Sequence, residues 1–96
     1  MTREAVLTIL KAQKPYLVQD MGVKAIGLFG SFARGEATEA SDIDILVELD
    51  TPDFQKLMAV KIFLEKQLSH PVDLHRKGPH LRQQFLKAIE SEIVYA

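Results

Sequence analysis

The chain has 96 residues, with 12 Lys+Arg against 13 Asp+Glu (formal net charge -1), 47% hydrophobic residues and no cysteine. At roughly 100 to 200 residues per domain this length predicts one domain, residues 1–96, so an enzyme of this size must borrow a substrate platform from a partner. The charge balance excludes a module held on DNA or RNA by bulk charge, the apolar share excludes disorder, and the lack of cysteine excludes disulfides and thiolate zinc sites. Met1-Thr2-Arg3-Glu4 carries an acid with no apolar core behind it, so no secretory signal is expected. No apolar run approaches the ~18 residues of a membrane helix. The expectation is a cytoplasmic protein without membrane attachment or direct nucleic-acid binding.

In chain order, Thr2 is placed to cap a first helix whose apolar positions Ala5, Val6, Ile9 and Leu10 recur at helical spacing. Pro15 should interrupt or kink it, and a second helical piece through Leu17 and Val18 should end at Gly22, a left-handed cap. Lys24 to Phe29 reads as a short buried strand, Ser31 to Gly35 as one helical turn, and Glu36 to Ser41 as polar loop. Asp42 to Leu49 is the clearest strand. Thr51 as cap and Pro52 at the first helical position announce a helix to about Leu68, which Pro71 prevents from extending. Val72 to His75 is a third strand, Gly78-Pro79 opens a last helix with Leu81, Phe85, Leu86 and Ile89 inward, and Ile93-Val94-Tyr95 forms an edge strand. The fold class is α/β (α+β): a small mixed sheet of three to four strands packed with helices.

The chemistry concentrates in Gly30-Ser31, followed after ten residues by Asp42-Ile43-Asp44. Side chains alternate along a strand, so Asp42 and Asp44 share one face. Two carboxylates starting an apolar strand repel each other and are poorly solvated once buried, and magnesium is the natural cation for them. A strand passing through glycine into a helical turn turns backbone N–H groups outward as an anion site, and the Ser31 hydroxyl adds a donor for a phosphate oxygen. Asp73 lies in the apolar strand Val72-Asp73-Leu74. Were that strand beside the Asp42–Asp44 strand, three carboxylates would converge, enough for two metals. Gly-Ser alone is a common turn, and Asp-x-Asp alone is often a loop end or a helix cap. Their conjunction in this order carries the reading.

Leu28-Phe29-Gly30-Ser31-Phe32-Ala33-Arg34-Gly35-Glu36 and Ser41-Asp42-Ile43-Asp44-Ile45-Leu46-Val47 closely resemble the minimal nucleotidyltransferase (MNT) family of the DNA polymerase beta-like superfamily. The resemblance extends through Pro71-Val72-Asp73-Leu74 to Glu92-Ile93-Val94-Tyr95. It implies a nucleotidyltransferase-like fold, two magnesium ions held by Asp42, Asp44 and Asp73, with Asp73 also the base, and an ATP triphosphate held at Gly30 and Ser31. His75 departs from the aliphatic residue expected after the third acid. The family also implies a setting: an antitoxin paired with a HEPN-type ribonuclease toxin, some members moving AMP from ATP to a toxin tyrosine. The rival reading is a non-catalytic antitoxin that neutralises by binding alone. A weaker third is a subunit that transfers nucleotides to a small molecule.

Arg34 follows the anion turn and is a candidate phosphate contact, with a salt bridge to Glu36 or Glu39 of at least equal weight. Arg76, Lys77 and Arg82 cluster after Asp73 and are candidates to guide a nucleotide, with a solvated basic face as the default reading. His70, His75 and His80 fall on different elements, so a histidine metal site is not expected among them. The helix from Phe54 to Leu68 is apolar over more than one stripe, pointing either to a partner or to burial under the last helix.

Overall fold

The apolar segment Ile43–Leu49 forms a strand with two unlike faces, and the rest of the molecule is arranged around that difference. The computed structural model describes residues 1–96, in the order α1 (Arg3–Asp20), β1 (Val23–Phe29), α2 (Gly30–Arg34), β2 (Ile43–Leu49), α3 (Phe54–Leu68), β3 (Val72–Arg76), α4 (Gln83–Glu90) and β4 (Val94–Tyr95). The strands form one mixed sheet, β3-β2-β1-β4. β1 runs antiparallel to both β2 and β4, and β2 runs parallel to β3. A parallel pair needs a crossover, which α3 supplies.

Ile43, Ile45, Val47 and Leu49 alternate onto one face, where they meet Val6, Leu10 and Leu17 of α1 and Val60, Leu64 and Leu68 of α3 in the main core. Leu46 points the other way, into a small cluster with Phe29 and Ile89, flanked by Leu81, Phe85, Leu86 and Ile93. α3 and α4 therefore serve opposite faces, and burial of α3 under the last helix does not occur. Phe54 (72% exposed) and Ile62 (55%) lie on the outer side of α3.

Three helix boundaries differ from expectation. Thr2 does cap α1, its Oγ1 accepting from the Ala5 N–H at 3.1 Å, but α1 continues unbroken through Pro15. An internal proline costs about 3 kcal/mol. The fully buried Val6, Leu10 and Leu17 on either side of it contribute ~1.5–3 kcal/mol each, and Pro15 itself faces solvent. There is thus no separate second helical piece, and Gly22 keeps its left-handed backbone (φ 70) one residue beyond the cap Met21.

α3 is capped by Asp53 rather than Thr51. Its Oδ1 accepts from the N–H groups of Gln55 (2.8 Å) and Lys56 (3.2 Å), while the Thr51 hydroxyl accepts from Lys56 Nζ at 2.9 Å. A charged acceptor nearer the helix start outcompetes a hydroxyl. α4 begins at Gln83, not at Gly78-Pro79. Those residues instead form a turn closed by the Leu81 N–H donating to the Gly78 carbonyl at 3.0 Å.

Candidate functional site

The parallel register sets Asp44 directly opposite Asp73 across the β2–β3 seam. Both lie on the face that α4 covers only in part, since Asp44 alternates with Leu46 and Asp73 with His75. One ligand atom each from Asp44, Asp73 and His75 lies within 4.8 Å of the others. Asp44 is half-buried and Asp73 exposed. Burial pushes the Asp44 carboxyl above the usual carboxylate range; the charge of Asp73 adds to this, His75 opposes it, and Asp42 contributes a smaller push. Asp42 is exposed, one residue ahead of β2, and stands outside that close group while its charge still reaches Asp44. No lysine or arginine is ion-paired with any of the three acids. Hard oxygen donors with uncompensated negative charge at one point suit a divalent cation.

The Gly30–Ser31 turn begins against one of these carboxylates, that of Asp44. Phe29 is paired with Asp44 in the sheet register, and β1 then passes straight into α2 at Gly30, whose φ is 76. The Asp44 carboxylate occupies the place where a β-carbon on residue 30 would stand. Glycine is required here twice over, for its left-handed backbone and for the closeness of Asp44. The structure thus sets Gly30 against Asp44 and Asp44 beside Asp73, with Ser31 next along the turn and Asp42 outside the close group.

Sequence reasoning missed Glu92. Its Oε2 accepts from the Gly30 N–H at 2.5 Å, and Arg34 Nη1 donates to both its oxygens at 3.1 and 3.2 Å. Gly30's own N–H is therefore taken by a carboxylate of the chain itself, which leaves the Ser31 hydroxyl and the later N–H groups of the turn for another anion. Arg34 is held by two acids, Glu36 (Nε to Oε1, 3.0 Å) and Glu92, and its pKa is raised by those hydrogen bonds, that of Glu36 first. Glu36 is the expected partner and Glu39 is not used. The signal for Glu92 lay in register. β4 pairs with β1 as Leu28 with Val94, and two residues further along that pairing Gly30 faces Glu92.

The three histidines separate as expected, with one exception. His70 Nε2 meets the Ser41 carbonyl at 2.6 Å, tethering the loop just before Asp42, and His80 Nδ1 meets Arg76 Nη2 at 3.0 Å. His75 alone joins the acids, its Nε2 3.2 Å from Asp73 Oδ2. β3 stays regular through this residue and extends to Arg76, one beyond the predicted end.

No helix is long and apolar enough to cross a membrane. The sequence profile of the nucleotidyltransferase domain family matches residues 6–96. Protein adenylyltransferase MntA of Thermococcus cleftensis is 41% identical, over 99% of this chain and 96% of its own. A Methanocaldococcus jannaschii protein that bears the name of a protein adenylyltransferase is 43% identical over 91% of this chain and 90% of its own. Among solved structures, one described as a minimal nucleotidyltransferase superposes with a TM-score of 0.83 at 27% identity, covering 98% of this chain and 95% of that one. The complex of a tri-AMPylated Shewanella oneidensis HEPN toxin with its MNT antitoxin shares the fold, with a TM-score of 0.58 at 21% identity over 97% of this chain and 66% of that one.

Proposed function

Because this chain belongs to the minimal nucleotidyltransferase family and is an enzyme of that class, we propose that it moves AMP from ATP to a tyrosine hydroxyl of a cognate HEPN-type ribonuclease toxin, acting as the antitoxin. The observation that carries the reading is the Asp44–Asp73 seam lying against the Gly30–Ser31 turn. That juxtaposition supports a metal-binding role for the carboxylates and a phosphate-binding role for the turn. The name of the Thermococcus cleftensis relative and the complexes formed by proteins of this fold support the acceptor and the partner.

Asp42, Asp44 and Asp73 would hold two magnesium ions, which when bound would offset the triphosphate charge as it shifts toward the leaving group. The Ser31 hydroxyl and the N–H groups of the α2 turn orient the triphosphate. Asp73, the more exposed carboxylate, accepts the proton of the incoming hydroxyl. The acceptor oxygen bonds to the α-phosphorus, the bond from that phosphorus to the bridging oxygen breaks, and pyrophosphate leaves. Glu92 and Arg34 keep the turn in place. Cytoplasmic location follows from this assignment, since ATP and the toxin's RNA substrate are there.

Incubating the chain with α-labelled ATP, magnesium and the toxin tests the proposal. Label should remain on a toxin tyrosine after denaturation and exceed one equivalent per chain. Neutralisation only at an equimolar ratio, without ATP and without label, would replace this reading with masking by binding alone.

A further inference from the structure

We propose that His75 supplies an imidazole nitrogen to the metal centre, giving this chain a site that prefers first-row transition-metal cations such as Mn2+ or Co2+ over Mg2+. The inference rests on the metal-site reading above and concerns one residue which that reading leaves out.

β3 places Asp73 and His75 two residues apart on one face, and the register puts Asp44 across from Asp73. The three side chains offer ligand atoms that all lie within 4.8 Å of one another. His75 Nε2 and Asp73 Oδ2 are 3.2 Å apart. Neighbouring ligands on an octahedral ion with bonds of about 2.1 Å are separated by roughly 3 Å, so the two donors already stand at the spacing of adjacent coordination positions.

The ring is also held. Phe29 at the end of β1 meets it edge-on and Phe85 of α4 tilts across it, each with ring centroids 5.4 Å away. An imidazole fixed between two aromatic rings loses little freedom on binding a metal, unlike an exposed histidine on a loop.

The consequence for selectivity follows from donor type. Magnesium takes oxygen ligands and gains little from imidazole, whereas cobalt and zinc accept nitrogen readily and manganese does so more weakly but still more than magnesium. An aliphatic residue at position 75 would leave an all-oxygen site suited to Mg2+. His75 converts it to a mixed nitrogen–oxygen site.

Titrating the full chain with Mn2+ and with Mg2+, each alone, measures the preference without relying on turnover. His75→Leu should lower Mn2+ affinity about tenfold, leave Mg2+ affinity within twofold, and abolish nitrogen coupling in the pulsed EPR spectrum of bound Mn2+. Asp44→Asn, measured in parallel, should weaken both metals. If Asp44→Asn weakens both while His75→Leu changes neither the Mn2+/Mg2+ ratio nor the nitrogen coupling, the histidine inference is wrong and the carboxylate site stands. If Asp44→Asn leaves both affinities unchanged, the site itself is misassigned and the inference falls with it.

Discussion

The two faces of the sheet obey different rules. The face covered by α1 and α3 holds a continuous core of fifteen buried residues, all apolar. The opposite face has only Phe29, Leu46 and Ile89 buried together, with α4 over part of it and the carboxylates at its edge. The buried core is concentrated away from the candidate site. Charges that repel one another are tolerated on the second face because the first supplies the folding free energy. A 96-residue chain has too little interior to do both on one side.

The largest effect expected from breaking this division is on transfer. Asp44→Asn or Asp73→Asn should reduce AMP transfer by roughly a hundred- to a thousandfold or more, while circular dichroism and the cooperative melt remain those of a folded protein. Near-normal transfer by either variant at saturating magnesium would remove the seam from the mechanism.

Truncation on the closed face should do the reverse. Leu64 is fully buried in the main core, and Leu64→Ala should cost ~2–5 kcal/mol, read by denaturant unfolding. Ile89→Ala, in the three-residue cluster, should cost about 2 kcal/mol or less. Equal costs would mean that the two faces share one core.

Gly30→Ala joins both effects. A left-handed non-glycine residue costs ~1–2 kcal/mol, and the added methyl must displace the Asp44 carboxylate. Lower stability together with reduced transfer is expected, with unfolding and steady-state rates measured on the same preparation. Stability and transfer both at the level of the parent chain would show that the turn adapts.

The smallest effect is electrostatic. Asp44 titrates above its ordinary value of 3.8, chiefly through burial and then through Asp73. A raised carboxyl pKa means the folded chain binds the proton more tightly. Its contribution therefore favours folding below the ordinary carboxylate range and is lost as pH rises through the folded-state pKa. Without metal, Asp44→Asn should melt slightly higher than the parent chain at neutral pH, and the difference should close below about pH 3.8. A difference that grows on acidification would reverse the sign of this account.

Much of this was legible in the chain because the relevant signals are local. The run Ile43–Leu49 declares its two faces by alternation, and Gly30-Ser31 with Asp42-Ile43-Asp44 marks the candidate site by residue type. The convergence of Asp73 with Asp44 depended on strand order, which the parallel pairing of β2 with β3 supplies. Glu92 was hidden because its partner lies 62 positions away and only the β1–β4 register connects them. Pro15 misled because a local rule about one missing donor was outweighed by three buried side chains elsewhere on α1. The cap of α3 was misplaced because two capping residues, Thr51 and Asp53, stand two apart, and the charged one nearer the helix start takes the role.

The central claim is that nucleotide and metal meet on the open face, at the β2–β3 seam beside the α2 turn. Adding Mn2+ with a non-hydrolysable ATP analogue to the isotopically labelled chain and recording paramagnetic broadening of the backbone amides tests it most directly. Broadening should be strongest at Gly30, Ser31, Asp44 and Asp73 and fade through the sheet toward α1 and α3. Broadening that is strongest along α1 or α3, or spread evenly over the chain, would contradict the assignment of the site.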